Sequence, residues 1–176
     1  MKKILAIGGS NSKTSINKTL ASHIALQITS AEVTTLDWGN LILPLYSKEL
    51  EKEFGIPDAV SVFKKQIEDT DAIVLSVAEN NGNVTAAFKN LWDWTSRLDP
   101  KVWMNKPLFL AATSPSDRGG MSALAITKNL MLHYGGNVIV DFSLPSFSDN
   151  FKEGTLANQE KAQELKEKIE VFSKSM

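Results

Sequence analysis

Cysteine is absent from the 176 residues, and histidine occurs only at His23 and His133. No disulfide scaffold, thiolate zinc site, cysteine nucleophile or thiolate-held iron–sulfur cluster can therefore be built from this chain. The two histidines stand far apart and match no metal-ligand spacing. An excess of charge of one sign is missing as well: 19 Lys and Arg against 20 Asp and Glu leave −1. Nucleic-acid and membrane-surface binders draw their affinity from concentrated Lys and Arg, so this balance argues against both. Long apolar runs are lacking. The stretch after Met1-Lys2-Lys3 ends at Gly8-Gly9-Ser10, too short for a signal-peptide core or a membrane span. The expected location is the cytoplasm. What is present, 43 % apolar and 22 % charged residues, fits an ordinary globular protein, and the length fits one domain over residues 1–176.

Short apolar segments alternate with helical stretches. Lys3 to Ile7 is apolar after its first residue, as a strand covered on both faces must be. Ile16 to Thr29 sets Ile16, Leu20, Ile24 and Ile28 at helical spacing. Glu32 to Trp38 predicts a second strand, Ala72 to Val77 a third, Pro107 to Thr113 a fourth and Asn137 to Phe142 a fifth. Further helices are predicted over Asp58 to Asp69, Ala86 to Leu98, Met121 to Tyr134 and Glu160 to Phe172. Gly135-Gly136 suits the left-handed residue that follows a helix end. All six prolines fall at element edges or in connections. This alternation implies right-handed crossovers and a doubly wound α/β fold. It is a three-layer sandwich around five parallel strands, in the order 2-1-3-4-5.

In such a sheet a ligand sits outside the carboxyl ends of the strands, where strand order reverses, here between strands one and three. The loops to inspect are Gly8 to Asn17, Ala78 to Thr85 and Ser114 to Gly120. The first places Ser10, Ser12, Thr14, Ser15 and Asn17 just ahead of a helix. Capping needs one such residue; the surplus, together with the N–H groups and dipole of the helix start, points to an anion and most of all a phosphate. Two nucleotide fingerprints fail. A Walker A loop meets Ile7 and Ser12 where it requires glycine, and a GxGxxG turn meets Ser10 and Lys13. Several short donors suit a terminal phosphomonoester. In the second loop Asn80, Asn81 and Asn83 pair donors with acceptors and Gly82 admits close backbone approach, as the edge of a planar heterocycle requires. A plain turn uses the same residues, and the two readings stand level. In the third loop either Gly119 and Gly120 expose N–H groups and Arg118 reaches an anion, or Asp117 pairs with Arg118 in a capped turn.

Together these loops resemble those of the NADPH-dependent FMN reductase family, the flavodoxin-like quinone, azo and chromate reductases. Gly9-Ser10 and Ser15-Ile16-Asn17 correspond to its G-S-x-R-x-x-S-x-N opening. Glu79, Asn81-Gly82, Lys89-Asn90 and Asp93-Trp94 correspond to its P-E-Y-N-G segment and the K-N-x-x-D-W that follows, and Asp117 to Gly120 to its glycine loop after strand four. The resemblance spans residues 2 to about 143, and the middle segment is its most specific part. Two positions depart from the pattern: Ser12 stands where the family has Arg, with Lys13 next door, and Asn80 where a Tyr lies against the flavin.

The resemblance implies FMN and NADPH (or NADH) as cofactors. A reduced nicotinamide delivers hydride and leaves, and a small electron acceptor such as a quinone or azo compound then takes the same face. On this basis Ser10, Ser12, Ser15, Ile16 and Asn17 hold the phosphate, and Glu79, Asn80, Asn81, Gly82 and Asn83 border the ring. Ser114, Asp117, Arg118 and Gly119 close the other side. No side chain is required as acid, base or metal ligand. Helix 86–98 carries Phe88, Trp92 and Trp94; either two of the three face the core of the single chain, or the surplus pairs two copies in a homodimer or homotetramer, as the resemblance to the family implies. Two rivals remain: a one-electron flavodoxin, which the charge of −1 disfavours, and a flavin-free binding or regulatory protein.

Overall fold

A computed structural model describes residues 1–29 and 31–176. Period-two alternation along β1 (Lys2–Gly9) sends Ile4 and Ala6 to one face of the sheet and Leu5 and Ile7 to the other, all buried. β1 pairs in parallel with β2 (Ala31–Thr35) and β3 (Ala72–Val77). β4 (Pro107–Thr113) and β5 (Asn137–Leu144) extend the sheet, so its order is β2-β1-β3-β4-β5 with every neighbour parallel. This is the predicted flavodoxin-like arrangement. The helices are α1 (Ile16–Leu26), α2 (Lys48–Phe54), α3 (Asp58–Glu68), α4 (Ala86–Leu98), α5 (Met121–Met131), α6 (Phe147–Asn150) and α7 (Gln159–Ser173). Ile4, Ala6, Val74 and Phe109 share one core with Leu20 and Ile24 of α1 and Leu165 and Phe172 of α7. Leu5, Ile7, Leu75 and Leu110 share the other with residues of α3, α4 and α5. Among the described residues no helix is long and apolar enough to cross a membrane.

Departures from the predicted elements have local causes. β2 stops at Thr35 because Asp37 caps a single 3₁₀ turn, Trp38–Asn40, accepting from the Gly39 N–H at 2.9 Å. Trp38 then turns inward and donates its indole N–H to the Gly8 carbonyl at 2.6 Å. Both α1 and α5 end short of the predicted residues, at Leu26 and Met131. A Cβ on Gly136 would stand 2.4 Å from the Met131 sulfur, so glycine there serves close approach. α2 carries no buried residue and therefore shows no apolar period from which to predict it.

The aromatic residues of α4 correct one expectation. Phe88, Trp92 and Trp94 are all buried within the single chain, leaving no surplus aromatic surface. Phe88 and Trp92 pack with Trp103 toward the sheet, while Trp94 meets Tyr46 edge-on at 5.1 Å and donates to the Pro44 carbonyl at 2.8 Å.

Candidate functional site

The three loops predicted from strand order lie together at the carboxyl ends of β1, β3 and β4. The first is a turn of hydroxyls. The Ser12 N–H donates to Ser10 Oγ at 3.2 Å, the Thr14 N–H to Ser12 Oγ at 3.4 Å, and the Ser15 N–H to the Ser12 carbonyl at 3.2 Å. Ser15 caps α1 by accepting from the Lys18 N–H at 3.1 Å. The N–H groups of Ile16 and Asn17, in the first turn of α1, have no partner among the described residues, as the helix start requires. Gly8 is what allows α1 to lie so close: a Cβ there would come within 2.5 Å of the Lys18 backbone.

Asn17 is buried, and its side chain is committed to the fold. β4 extends one residue past its pairing with β3, leaving the Thr113 backbone beyond the ladder. The Asn17 carboxamide substitutes for the missing strand: Oδ1 accepts from the Thr113 N–H at 3.1 Å and from Ser76 Oγ at 2.7 Å, and Nδ2 donates to the Thr113 carbonyl at 3.1 Å. α1, β3 and β4 are thereby joined. What Asn17 offers a ligand is its backbone N–H.

The second loop divides into two parts. Glu79 sends its carboxylate to α5, where Oε2 accepts from the N–H groups of Ser122 at 2.9 Å and Ala123 at 3.1 Å. Gly120, at the N-cap of α5, has no side chain to do this, so Glu79 caps the helix from a distance. Asn80 to Asn83 form a two-residue hairpin whose central Asn81 and Gly82 have φ of 52° and 76°. That is the Asn-Gly turn expected of a tight hairpin. A Cβ on Gly82 would meet nothing within 4 Å, so the backbone angle, and not close approach, accounts for the glycine here. After the hairpin, Thr85 caps α4 and donates its hydroxyl to the Gly9 carbonyl at 2.8 Å, tying the second loop to the first.

The third loop is pinned to the start of α6, just past β5. The Phe147 and Ser146 N–H groups donate to the carbonyls of Ser114 at 3.0 Å and Ser116 at 2.8 Å. Gly119 and Gly120 are buried, with φ of 59° and 75°, which corrects the expectation that they expose N–H groups. The Gly119 N–H is bonded to the Ser116 carbonyl, and a Cβ on Gly119 would stand 2.4 Å from Ser143 Oγ. Close packing on β5 fixes Gly119, whereas Gly120 packs on β4, where a Cβ would stand 3.1 Å from the Ala112 methyl. Arg118 folds back along α5 onto Ser122 Oγ at 2.7 Å instead of pairing with Asp117.

Between the loops lies a cleft of about 280 Å³. It gathers Ser10, Ser12, Ser15, Ile16, Asn17, Glu79, Asn80 and Ser114 of the predicted site, and adds Thr14 and Thr113. Asn81, Gly82 and Asn83 project from its edge on the hairpin, while Asp117, Arg118 and Gly119 do not line it. A cavity of about 520 Å³ lies elsewhere, against β2, α3 and the start of β1, and touches none of the three loops. The cleft's one carboxylate, Glu79, is taken up by α5. Its remaining lining offers hydroxyls, amides and the first N–H groups of α1, the donor set that a phosphate ester requires. FMN fits these residues.

The segment from Lys89 to Trp94 works away from the cleft. Asn90 donates to the Pro44 carbonyl and accepts from the Tyr46 N–H, both at 2.9 Å. Tyr46 donates its hydroxyl to Glu51, which Arg97 also grips with Nε at 3.0 Å. Hydrogen bonding to Arg97 holds the Glu51 carboxyl below its usual range, and burial and then the Glu51 hydrogen bond raise the Tyr46 phenol. α4 thus carries the connection at residues 41–47.

A family model for NADPH-dependent FMN reductases matches residues 2–152. The chain belongs to that family. It is an NAD(P)H-dependent FMN oxidoreductase of flavodoxin-like fold. It is 30 % identical over 174 residues to an NADPH:quinone oxidoreductase of Arabidopsis thaliana, covering 94 % of this chain and 87 % of the relative. A 2-hydroxy-1,4-benzoquinone reductase of Burkholderia is 35 % identical over 64 % of this chain and 60 % of its own length. Among solved structures, FerB, a flavoenzyme NAD(P)H:(acceptor) oxidoreductase of Paracoccus denitrificans, superposes with a TM-score of 0.78 at 26 % identity, covering 99 % of this chain and 96 % of its own. For this reductase the sequence did not disclose Thr85, or the capping role of Glu79. Thr85 carried a signal, a threonine immediately before a strongly periodic helix; the Glu79 contact joins residues 43 and 44 positions apart and carried none.

Proposed function

We propose that this protein reduces a small quinone-class acceptor with electrons from NAD(P)H, using FMN held in the cleft at the ends of β1, β3 and β4. The observation that carries the reading is the cleft's lining: hydroxyls and unpartnered helix N–H groups, with the single carboxylate occupied elsewhere. Ser10, Ser12, Ser15 and the N–H groups of Ile16 and Asn17 hold the phosphate. Asn80 borders the ring from the cleft wall, with Asn81, Gly82 and Asn83 above it on the hairpin, and Ser114 closes the opposite wall. Asp117 and Arg118 stand at the outer rim, and Gly119 sets the path of that loop. Bound FMN supplies the two-electron chemistry itself. The chain's residues bind, orient and exclude water; none is required to move a proton. The names of the Arabidopsis and Burkholderia relatives support the choice of a quinone. The test is retention of FMN after desalting, followed by NADPH oxidation with a benzoquinone. Protein that stays colourless and turns nothing over would overturn the proposal.

The same reading places the protein in the cytoplasm as a homodimer or homotetramer assembled at α4. Support for assembly comes from the connection that α4 carries, where Ile42 and Leu45 are 89 % and 78 % exposed. Ile42→Ser with Leu45→Ser should then yield a monomer by light scattering; a wild-type monomer refutes the assembly.

A further inference from the structure

We infer that the cleft between the outer face of α1 and the hairpin at residues 151–156 is a second ligand site, built for a phosphorylated nucleoside. It has a volume of about 680 Å³ and meets the flavin cleft at a shared wall, Thr14 and Ser15. Lys13 and Lys18 stand at its rim, and neither enters an ion pair among the described residues. No Asp or Glu is among its lining residues. Half-buried His23 and Phe151 form its aromatic floor, with the exposed Leu26 at the edge.

His23 is fixed in that floor. Its ring meets Phe151 edge-on at 5.0 Å, and its Nε2 lies 2.8 Å from the Gln27 amide nitrogen. With the Gln27 amide donating, Nε2 accepts and the imidazole is neutral; burial keeps it so by lowering its pKa. Two unpaired ammonium groups over a flat, uncharged floor match the two halves of a nucleotide, with phosphate at the rim and base below. A simple anion would make no use of the floor, and an apolar ligand none of the lysines. Two sources share this chemistry: the phosphoadenosine half of NADPH, and a free nucleotide. Only the first depends on the function proposed above.

The experiment titrates FMN-saturated protein with adenosine 2′,5′-bisphosphate and with adenosine, by calorimetry, in wild type and Lys18→Gln. The Ser15 cap uses the Lys18 backbone N–H, so exchanging the side chain leaves α1 intact. The bisphosphate is expected to bind, adenosine to bind far more weakly, and Lys18→Gln to cost the bisphosphate about tenfold while FMN affinity is retained. Absence of bisphosphate binding, or binding indifferent to Lys18→Gln, overturns the site. Turnover then identifies the source. A raised KM for NADPH, with kcat and the KM for NADH unchanged, assigns the site to the reduced cofactor; lost bisphosphate binding with an unchanged NADPH KM assigns it to a free nucleotide. Failure to retain FMN would count against the flavin reading alone, because the Lys18 comparison still applies to protein as purified.

Discussion

Asn17 shows how one side chain sets the floor of the cleft. Its three hydrogen bonds satisfy a buried backbone N–H, a buried carbonyl and a buried serine hydroxyl on two different strands. Removing the carboxamide leaves those groups without water or partner, at about 1–3 kcal/mol for each group that cannot rearrange. Asn17→Ala should therefore lose about 3 kcal/mol of stability in urea unfolding, and it should loosen FMN binding without touching a phosphate-facing side chain. His23 gives a prediction in pH. Its folded pKa lies below the ordinary 6.5 because burial opposes the charged form. Below 6.5 the unfolded chain takes up a proton that the folded chain refuses, so stability is full above that pH and falls as pH drops toward the folded value. The melting temperature should decline on acidification below about pH 6.5, and His23→Gln should flatten that decline. An equal slope in the variant would assign the loss to carboxylates instead.

At the scale of elements, what could be read from the chain was whatever buries an apolar pattern. β3, α4 and β4 follow their predicted bounds because their runs are uncharged or strongly periodic. α2 and the two short hairpins were not legible, since a helix without a buried face has no period and a two-residue strand has no alternation. The site was legible in the same measure. The hydroxyl turn announced itself by excess over what capping needs, whereas the loop after β3 mixed a turn signal, Asn81-Gly82, with a contact between distant elements, Glu79 to α5. That contact is open to test. α5 has neither a capping side chain at Gly120 nor an acidic residue in its first turn, so Glu79 alone balances its N-terminus. Glu79→Ala should cost about 1–2 kcal/mol and, by freeing the hairpin from α5, weaken FMN binding. Glu79→Gln keeps an acceptor oxygen and should recover most of the stability. Equal losses in the two variants would mean that charge, and not the hydrogen bonds, holds the helix.

For the whole molecule the question is how far a ligand at the sheet's carboxyl edge reaches into the fold. Three contacts carry the cleft walls into the body: Asn17 to β4, Thr85 to β1 and Glu79 to α5. Local opening of any loop breaks one of them, so the walls should unfold with the core and binding there should raise the global transition. At about 100 times its dissociation constant a ligand adds about 2.7 kcal/mol. For a chain of 176 residues, that amounts to about 5–11 °C in melting temperature. Riboflavin separates phosphate from ring, because it has the isoalloxazine and lacks the ester. If the hydroxyl turn and the first N–H groups of α1 supply most of the affinity, FMN should give that shift and riboflavin at the same concentration only a small part of it. The net charge of −1 provides no long-range field to draw in the phosphate, so the difference must come from local donors and persist as salt is raised toward physiological strength. Matching shifts for the two flavins would move the binding energy to the asparagine hairpin and leave the turn a helix cap and nothing more.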